Sequence, residues 1–471
     1  MTRPALRQLA SQGPVHFMGV GGAGMRALAE AVARTGARVS GCDRDLGPGA
    51  RALEVHGVRL ESGHDPAHVE GASALVVTAA VPDDHAELEE ARRRSVPVLK
   101  RAQALAEWVE PGRVVAVAGT HGKTTTAALL TEILEAADLE PSAFVGGTVS
   151  GWGGNHRPGG DGLFVVEADE FDRSFHHLAP QLAVVTNVEP DHLEIYGDRA
   201  GVLEAFRIFL QRTSGPDARV VLCGDDSGAG NLTPAASAPV TTYGFSAGCV
   251  VRGLDPAPTE SGTRFQVLER GRNVGELEVP LAGAHNAVNA LGAATAARDL
   301  GVEWSVIRRA LRGFQGIERR FARLGEVAGV TIVDDYAHHP TEIAAALQAA
   351  RQAFPGRRLV AVFQPHLFTR TRDFLEGFGR SLALADQVWV TEVYPAREEP
   401  IPGVDGEAVT RAVRESGGVE VRFHSELDTI PEALAKSLEA GDVCVTLGAG
   451  SVEQVGPSLL DALEGGRRNR A

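Results

Sequence analysis

The chain has 471 residues, 44% of them hydrophobic and 23% charged; this ordinary globular usage excludes fibrous, disordered and disulfide-stapled classes and, at roughly 150 residues per domain, suggests about three domains. Acidic residues outnumber basic ones, 61 to 46, and the net charge of -15 argues against a nucleic acid as the main partner. No apolar run approaches the roughly 18 residues of a bilayer span, and Cys42, Cys223, Cys249 and Cys444 show no CxxC or Cys/His ligand spacing, so a cytoplasmic, reducing setting with no membrane partner is expected.

The apolar run Val15 to Val20, the helical pattern Met25 to Thr35, and the runs Arg38 to Gly41 and Ala74 to Thr78 read as βαβ units. They predict a Rossmann-like N-terminal α/β domain over residues 1–111. Its first strand-to-helix turn, Gly19-Val20-Gly21-Gly22-Ala23-Gly24, fits GxGxxG, and Asp43 ends the next strand. Gly19, Gly21, Gly22 and Gly24 let the backbone approach a diphosphate; a tight turn without a ligand is the plain alternative, and the kind of nucleotide stays open.

Glu110-Pro111-Gly112 marks a break, after which strand Val114 to Ala118 and helix Thr124 to Ala137 open a central α/β domain of P-loop ATPase type, residues 112–315. Between them lies Gly119-Thr120-His121-Gly122-Lys123-Thr124-Thr125-Thr126, where amide N–H groups and a helix N-terminus face an anion. Val117 occupies the first glycine position of the strict GxxxxGK[ST] pattern. Only Lys100, Lys123 and Lys436 are lysine, however, and one of them directly follows Gly122. A nucleoside triphosphate site is expected, with Lys123 on the phosphates and Thr124 turned toward Mg²⁺. Strand Leu163 to Val166 leads into Glu167-Ala168-Asp169-Glu170-Phe171-Asp172, and Leu182 to Thr186 into Asn187-Val188-Glu189-Pro190-Asp191-His192. Acidic strand ends are often plain solvated loops; beside a phosphate loop, Glu167 and His192 are expected to join Thr124 as metal ligands.

Short alternating runs from Arg219 to Val279 and helices around Asn286 to Asp299 and Ser305 to Arg312 follow. A third series, with strands Thr331 to Val333, Leu359 to Phe363, Gln387 to Thr391 and Val443 to Leu447, predicts a C-terminal Rossmann-like domain, residues 316–471. Two strand-end loops, Asp334 to Glu342 and Phe363 to Thr371, concentrate titratable groups that suit an anionic or amino-acid substrate. Arg319 and Arg320, in the preceding link, fit either a phosphate clamp or a solvated linker.

In this order HFMGVGGAGM, GTHGKTTT, EADEFDRSF, NVEPDHLEIY, GAHNAVNA, GIERRF, DDYAHHPTE and FQPHLFTRT resemble the Mur ligase family from about His16 to Gly450. The resemblance implies an ATP- and Mg²⁺-dependent ligase of peptidoglycan precursor synthesis. ATP would phosphorylate the carboxylate of UDP-N-acetylmuramate, and the amine of L-alanine would attack the acyl phosphate. It implies that Gly19, Gly21, Gly22, Gly24 and Asp43 hold the UDP moiety rather than a dinucleotide. Gly119, Thr120, His121, Gly122, Lys123, Thr124 and Thr125 would hold ATP together with Arg319, with Asn286 by the adenine and Asp335 near the ribose. Tyr336, His338, His366 and Arg370 would line the alanine or acyl-phosphate region, and Lys123, His192, His338 and Arg370 would form the catalytic set, in a monomer or weak homodimer.

A ligase of the same family with a recycled-peptide acceptor is one alternative, which GVGGAGM disfavours. A nicotinamide-dependent dehydrogenase would leave GTHGKTTT without a role, and a noncatalytic nucleotide-binding regulator would not need Lys123, Glu167 and His192. Phe171, Ser451 and Leu367 depart from the residues usual or frequent in the family. Several relatives use a carbamylated lysine beyond the histidine of the NVEPDH-type motif; this chain has no lysine between Lys123 and Lys436.

Overall fold

The structure is a computed structural model that describes residues 5–78, 81–396 and 398–468. The chain packs as two compact units: Met1–Leu254, Val267–Gly275 and Val288–Phe314 form one, and Asp255–Gln266, Glu276–Ala287 and Gln315–Ala471 the other.

The first unit opens with β1 (Val15–Met18), β2 (Val39–Asp43), β3 (Arg59–Ser62), β4 (Ala74–Val77) and β5 (Val98–Lys100). They form a parallel sheet of order β3-β2-β1-β4-β5. β1 and β4 are buried along their whole length, as both faces of a parallel sheet require. The order reverses direction at β1, so a crevice opens at its carboxyl end, where the glycine loop begins. Helix Ala23–Arg34 follows that loop and buries Met25, Leu28 and Val32.

A second sheet uses β6 (Arg113–Ala118), β7 (Ser142–Val149), β8 (Gly154–Arg157), β9 (Leu163–Glu167), β10 (Leu182–Val185), β11 (Arg219–Cys223) and β12 (Val240–Gly244). Over these seven strands, part of a ten-stranded sheet, the order is β12-β11-β10-β6-β9-β7-β8, with only β8 antiparallel among these pairings. β6 lies between β10 and β9, so the loops that end all three strands converge beside the phosphate loop. The alternating runs that follow are β13 (Val251–Pro258), β14 (Thr263–Glu269) and β15 (Arg272–Val279).

In the second unit β16 (Ala322–Val327), β17 (Val330–Asp335), β18 (Leu359–Phe363), β19 (Gln387–Val390), β20 (Glu420–Phe423) and β21 (Val443–Leu447) take the order β16-β17-β21-β18-β19-β20. Only β16 runs antiparallel to its neighbour. Strand alternation sends Val333 and Phe363 into one core with Leu347 and Phe378, and Ile332 and Val362 into another with Trp389 and Leu459. Both faces of this sheet are therefore covered, and its polar residues gather at the strand ends.

No helix among the described residues is long and apolar enough to cross a membrane. All four cysteines are free thiols.

Candidate active site

Two glycines of the first loop are required by space as well as by backbone angle. Gly19 has φ +83, and a Cβ there would meet Thr78 Cγ2 at 2.5 Å; a Cβ on Gly21 would meet Asp43 Oδ2 at 2.8 Å. The Gly21 amide donates to that same carboxylate oxygen at 2.8 Å. Asp43 thus shapes the loop from β2, and Gly22 is the N-cap of helix Ala23–Arg34. A cavity of about 250 Å³ extends from Gly22 and Gly24 past Arg101 to Gly146, Glu167 and Asp169. Within one unit, the glycine loop and the acidic end of β9 therefore share one space.

The phosphate loop is tied down by the turn that ends β10. Asn187 accepts from the His121 amide through Oδ1 at 2.7 Å and donates to the His121 carbonyl through Nδ2 at 3.0 Å. Thr186 Oγ1 donates to the same carbonyl at 2.6 Å, and the Glu189 amide donates to Thr120 Oγ1 at 2.9 Å. Gly119 has φ +138, and a Cβ there would stand 2.0 Å from Thr186 Oγ1; Gly122 has φ +80, with Asn289 Oδ1 2.4 Å from where its Cβ would be. Side chains larger than hydrogen are excluded at both positions.

Lys123 opens helix Lys123–Glu135 and folds back over the loop, donating from Nζ to the carbonyls of Gly119 at 2.6 Å and Thr120 at 3.1 Å. It also donates to both oxygens of Glu170, at 2.8 and 3.1 Å. Burial works against the ammonium, but the carboxylates of Glu170, Asp169 and Glu167 outweigh it and push the Lys123 pKa up, so the cation is held protonated. Thr125 is buried one residue beyond Thr124 on the same helix.

Thr124 Oγ1 donates to Glu167 Oε2 at 2.9 Å, and the Gly146 amide donates to the same oxygen at 2.5 Å. A hydroxyl and a carboxylate meeting at the mouth of a phosphate loop are hard oxygen donors of the kind Mg²⁺ prefers. Gly146 leaves room for them, because a Cβ there would lie 3.0 Å from Glu167 Oε1. His192 lies against the Phe171 ring at 5.1 Å, with Asp191 and Glu194 carboxylates at 3.7 and 3.5 Å. Its charge reaches Glu170. Thr124 and Glu167 are thus in direct contact, while His192 is held by a separate set of neighbours at the end of β10.

In the second unit, Tyr336, His338, His366 and Tyr394 form a chain of rings with centroid spacings of 5.2, 6.0 and 5.6 Å. Arg370, largely buried, reaches His366 Nδ1 from NH1 at 3.4 Å. His338 Nδ1 lies 2.9 Å from the Tyr336 carbonyl, and its backbone amide donates to Glu342 at 3.1 Å. A carbonyl only accepts, so Nδ1 carries a proton, and the Glu342 carboxylate lies 3.4 Å from the same nitrogen. Leu367 takes φ +68, a backbone region that side chains avoid, while its amide donates to the Tyr394 carbonyl at 3.0 Å. That strained turn directs the helix carrying Arg370.

Arg319 is engaged inside its own unit, with Asp334 at 3.0 Å, Glu453 at 2.8 Å and the Gly448 carbonyl at 2.6 Å. It also covers the Tyr336 ring at 5.0 Å. Asp335 accepts from the amides of Phe321 at 2.7 Å and Ala337 at 2.8 Å, and burial raises its pKa to about 6. Asn286 donates to the Ala282 carbonyl at 2.8 Å at the start of its helix.

Sequence reasoning passed over Glu170, Asn187, Arg101, Glu342 and Tyr394. Glu170 and Asn187 stand inside quoted motifs, and a lone lysine amid acidic strand ends is the signal that would have singled out Glu170. Arg101 and Tyr394 carry no motif; only the folded arrangement brings them to the cavity and the ring chain.

Family models described as "Mur ligase family, catalytic domain", "Mur ligase middle domain" and "Mur ligase, glutamate ligase domain" match residues 14–113, 117–297 and 319–450. A UDP-N-acetylmuramate–L-alanine ligase of Methylibium petroleiphilum is 43% identical over 459 residues, covering 95% of this chain and 98% of that protein. A protein of the same name from Burkholderia thailandensis is 44% identical over 444 residues, covering 93% of this chain and 95% of its own length. The crystal structure of the UDP-N-acetylmuramate-alanine ligase of Thermotoga maritima superposes with TM-score 0.83 at 27% identity, over 96% of this chain and 99% of that one. A murein peptide ligase from Psychrobacter arcticus gives 0.72 at 25% identity, over 96% and 98% of the two chains. On a match of this length, the chain belongs to the Mur ligase family.

Proposed function

We propose that this chain ligates L-alanine to the carboxylate of UDP-N-acetylmuramate at the expense of ATP. The products are UDP-N-acetylmuramoyl-L-alanine, ADP and phosphate. The observation that carries the reading is the 43–44% identity to L-alanine ligases along nearly the whole chain, together with a phosphate loop that retains its lysine and its hydroxyl–carboxylate pair. The TM-scores of two peptide-adding ligases, 0.72 and 0.60 against 0.83 for the alanine ligase, support alanine over a recycled peptide.

In the first step a carboxylate oxygen of the sugar nucleotide bonds to the γ-phosphorus of ATP as the bond to ADP breaks. Lys123, protonated and placed over the loop, meets the charge that develops on the phosphoryl oxygens. The cavity from the glycine loop ends at Glu167, which accepts from Thr124 of the phosphate loop, and would lead the sugar from the UDP cradle toward it. Mg²⁺, held by Thr124 and Glu167 with His192, would offset the repulsion between the two anions. In the second step the alanine nitrogen bonds to the acyl carbon, the tetrahedral intermediate expels phosphate, and the amine gives up a proton. As a neutral imidazole, His338 would take that proton at Nε2, and the Arg370 cation suits the acyl phosphate or the alanine carboxylate. The assignment gives residues 1–111 to the sugar nucleotide, 112–315 to ATP, and 316–471 to the amino acid with further ATP contacts.

The test is ADP release measured with each substrate omitted in turn. ADP formation that requires both UDP-N-acetylmuramate and L-alanine, with the amide product seen by mass spectrometry, is the expected result. Turnover with a tripeptide but not with alanine would overturn it.

A further inference from the structure

Away from the phosphate loop, the first sheet holds a buried cluster that the ligase reaction does not use. His16 on β1, Cys42 on β2, His68 on the short helix Pro66–Val69 and Glu87 on helix Ala86–Arg93 place one ligand atom each within 4.8 Å of one another. His16, Cys42 and Glu87 are 1% exposed or less. The sequence shows no Cys/His ligand spacing, because the four residues come from four separate elements and meet only when the sheet forms.

The atoms stand close to where a tetrahedral ion would need them. His16 Nε2 lies 3.3 Å from Cys42 Sγ, Cys42 Sγ lies 3.5 Å from both Glu87 oxygens, and Glu87 Oε1 lies 3.0 Å from His68 Nδ1. Bonds of about 2.0–2.3 Å to a tetrahedral Zn²⁺ put ligand atoms about 3.3–3.8 Å apart. Outer contacts orient the set: Ser40 Oγ meets His16 Nδ1 at 2.9 Å, which turns Nε2 toward the thiol, and the Asp65 amide donates to Glu87 Oε1 at 2.8 Å. His64 Nδ1 approaches Cys42 Sγ at 3.3 Å and Glu87 at 3.6 Å, adding a further nitrogen at the rim. Each ring nitrogen here donates or accepts according to its tautomer, and His16 Nε2, Cys42 Sγ, His68 Nδ1 and a Glu87 oxygen each have a lone pair to offer a cation. A cation at the centre satisfies them together.

We propose that His16, Cys42, His68 and Glu87 form a binding site for a zinc-class divalent transition metal. Two imidazoles, a thiolate and a carboxylate make a borderline-soft set, unlike the hard oxygens at Thr124 and Glu167, so the two sites select different ions. Binding displaces the thiol proton to solvent. The ion would clamp the short helix and helix Ala86–Arg93 onto β1 and β2. It would also steady the glycine loop, whose Gly19 and Val20 amides donate to the Cys42 carbonyl at 2.8 and 3.0 Å.

The test uses the full chain, stripped with a chelator and titrated with Co²⁺ alone in the presence of excess Mg²⁺. One equivalent should bind, with the intense visible bands of tetrahedral Co²⁺ and a thiolate charge-transfer band, both removed by one equivalent of Zn²⁺. Cys42→Ser, a near-isosteric change whose fold is checked by circular dichroism, should abolish the charge-transfer band, and His68→Asn should weaken Zn²⁺ binding at least about tenfold. Absence of the charge-transfer band in the parent protein, or Zn²⁺ affinity unchanged in both variants, would overturn the site and leave a purely hydrogen-bonded cluster.

Discussion

The ammonium of Lys123 is shared between two loop carbonyls and both oxygens of Glu170, whose side chain is 4% exposed, so truncating it does two things at once. On the proposed mechanism it removes the cation that would meet the transferred phosphoryl group, at a cost of about a hundredfold or more in rate. It also strands Glu170 without its partner, which for a buried pair costs about 3–5 kcal/mol. Lys123→Ala should therefore be both inactive and less stable, while still binding UDP-N-acetylmuramate. The double variant Lys123→Ala with Glu170→Gln should regain most of the melting temperature and none of the ligation; thermal melts beside single-turnover assays check this, and near-normal turnover in either variant would sink the assignment. In the second unit, two groups titrate in opposite senses. Burial raises Asp335 from 3.8 to about 6, so the stability it brings is complete at low pH and is lost as pH rises toward 6. Burial, aided by Arg320, lowers His285 from 6.5 to about 4, so its contribution is complete above 6.5 and is lost as pH falls. Relative to the parent, the unfolding midpoint of Asp335→Asn should climb between about pH 4 and about pH 6, and that of His285→Asn should fall. Parallel slopes for the two variants would contradict the assigned shifts.

At the scale of elements, the turn after β10 acts as a brace for the turn after β6. Asn187 both accepts from and donates to the His121 peptide, and an aspartate there keeps only the accepting half. Asn187→Asp and Asn187→Ala should raise KM for ATP and lower kcat, by about fivefold for the one bond lost and about thirtyfold for both, with little change in UDP-N-acetylmuramate affinity, since each lost bond is worth about 1 kcal/mol. Isothermal titration with both nucleotides separates this from general unfolding, and equal losses for the two ligands would argue against a local brace. The same pair of turns shows what was legible in the sequence. β1, β6, β9, β10, β18 and β21 announce themselves as apolar runs because both their faces are covered, and their motifs follow directly at the strand ends. β3, β5, β8, β16 and β20 escaped because each is the edge of its sheet or next to open solvent: Arg59–Ser62 and Glu420–Phe423 are half exposed and carry no apolar run. β7 escaped because Gly146 and Gly147 interrupt its pattern. In the site, Lys123, Thr124 and Glu167 were readable from spacing, since the loop and the next parallel strand fix them. Tyr394 was not, because its place in the ring chain depends on β18 and β19 being neighbours, which no local pattern encodes.

For the molecule as a whole, the near absence of lysine makes the amine chemistry unusually easy to assign. Lys100 and Lys436 are exposed, whereas the Lys123 side chain is 13% exposed and kept protonated by the carboxylates around it. A mild amine-acylating reagent should thus modify Lys100 and Lys436 well before Lys123, and peptide mapping by mass spectrometry should find ligation retained until Lys123 reacts; activity that falls with Lys100 or Lys436 would contradict the unique role given to Lys123. The same census bears on the metal site. A carbamate forms only on a neutral lysine amine, and the chain has no lysine between Lys123 and Lys436. Arg207, on helix Arg199–Gln211, is a guanidinium paired with Glu204 and supplies no such amine. On the proposed reading, Glu167 supplies the negative charge and Thr124, His192 and waters complete the set, since Mg²⁺ retains waters readily. Initial rates in carbon-dioxide-free buffer should therefore equal those with added bicarbonate at the same pH and ionic strength, and His192→Ala should raise the Mg²⁺ concentration for half-maximal rate. A rate that rises with bicarbonate, or a Mg²⁺ dependence untouched by His192→Ala, would show that the ligand set at this loop is different.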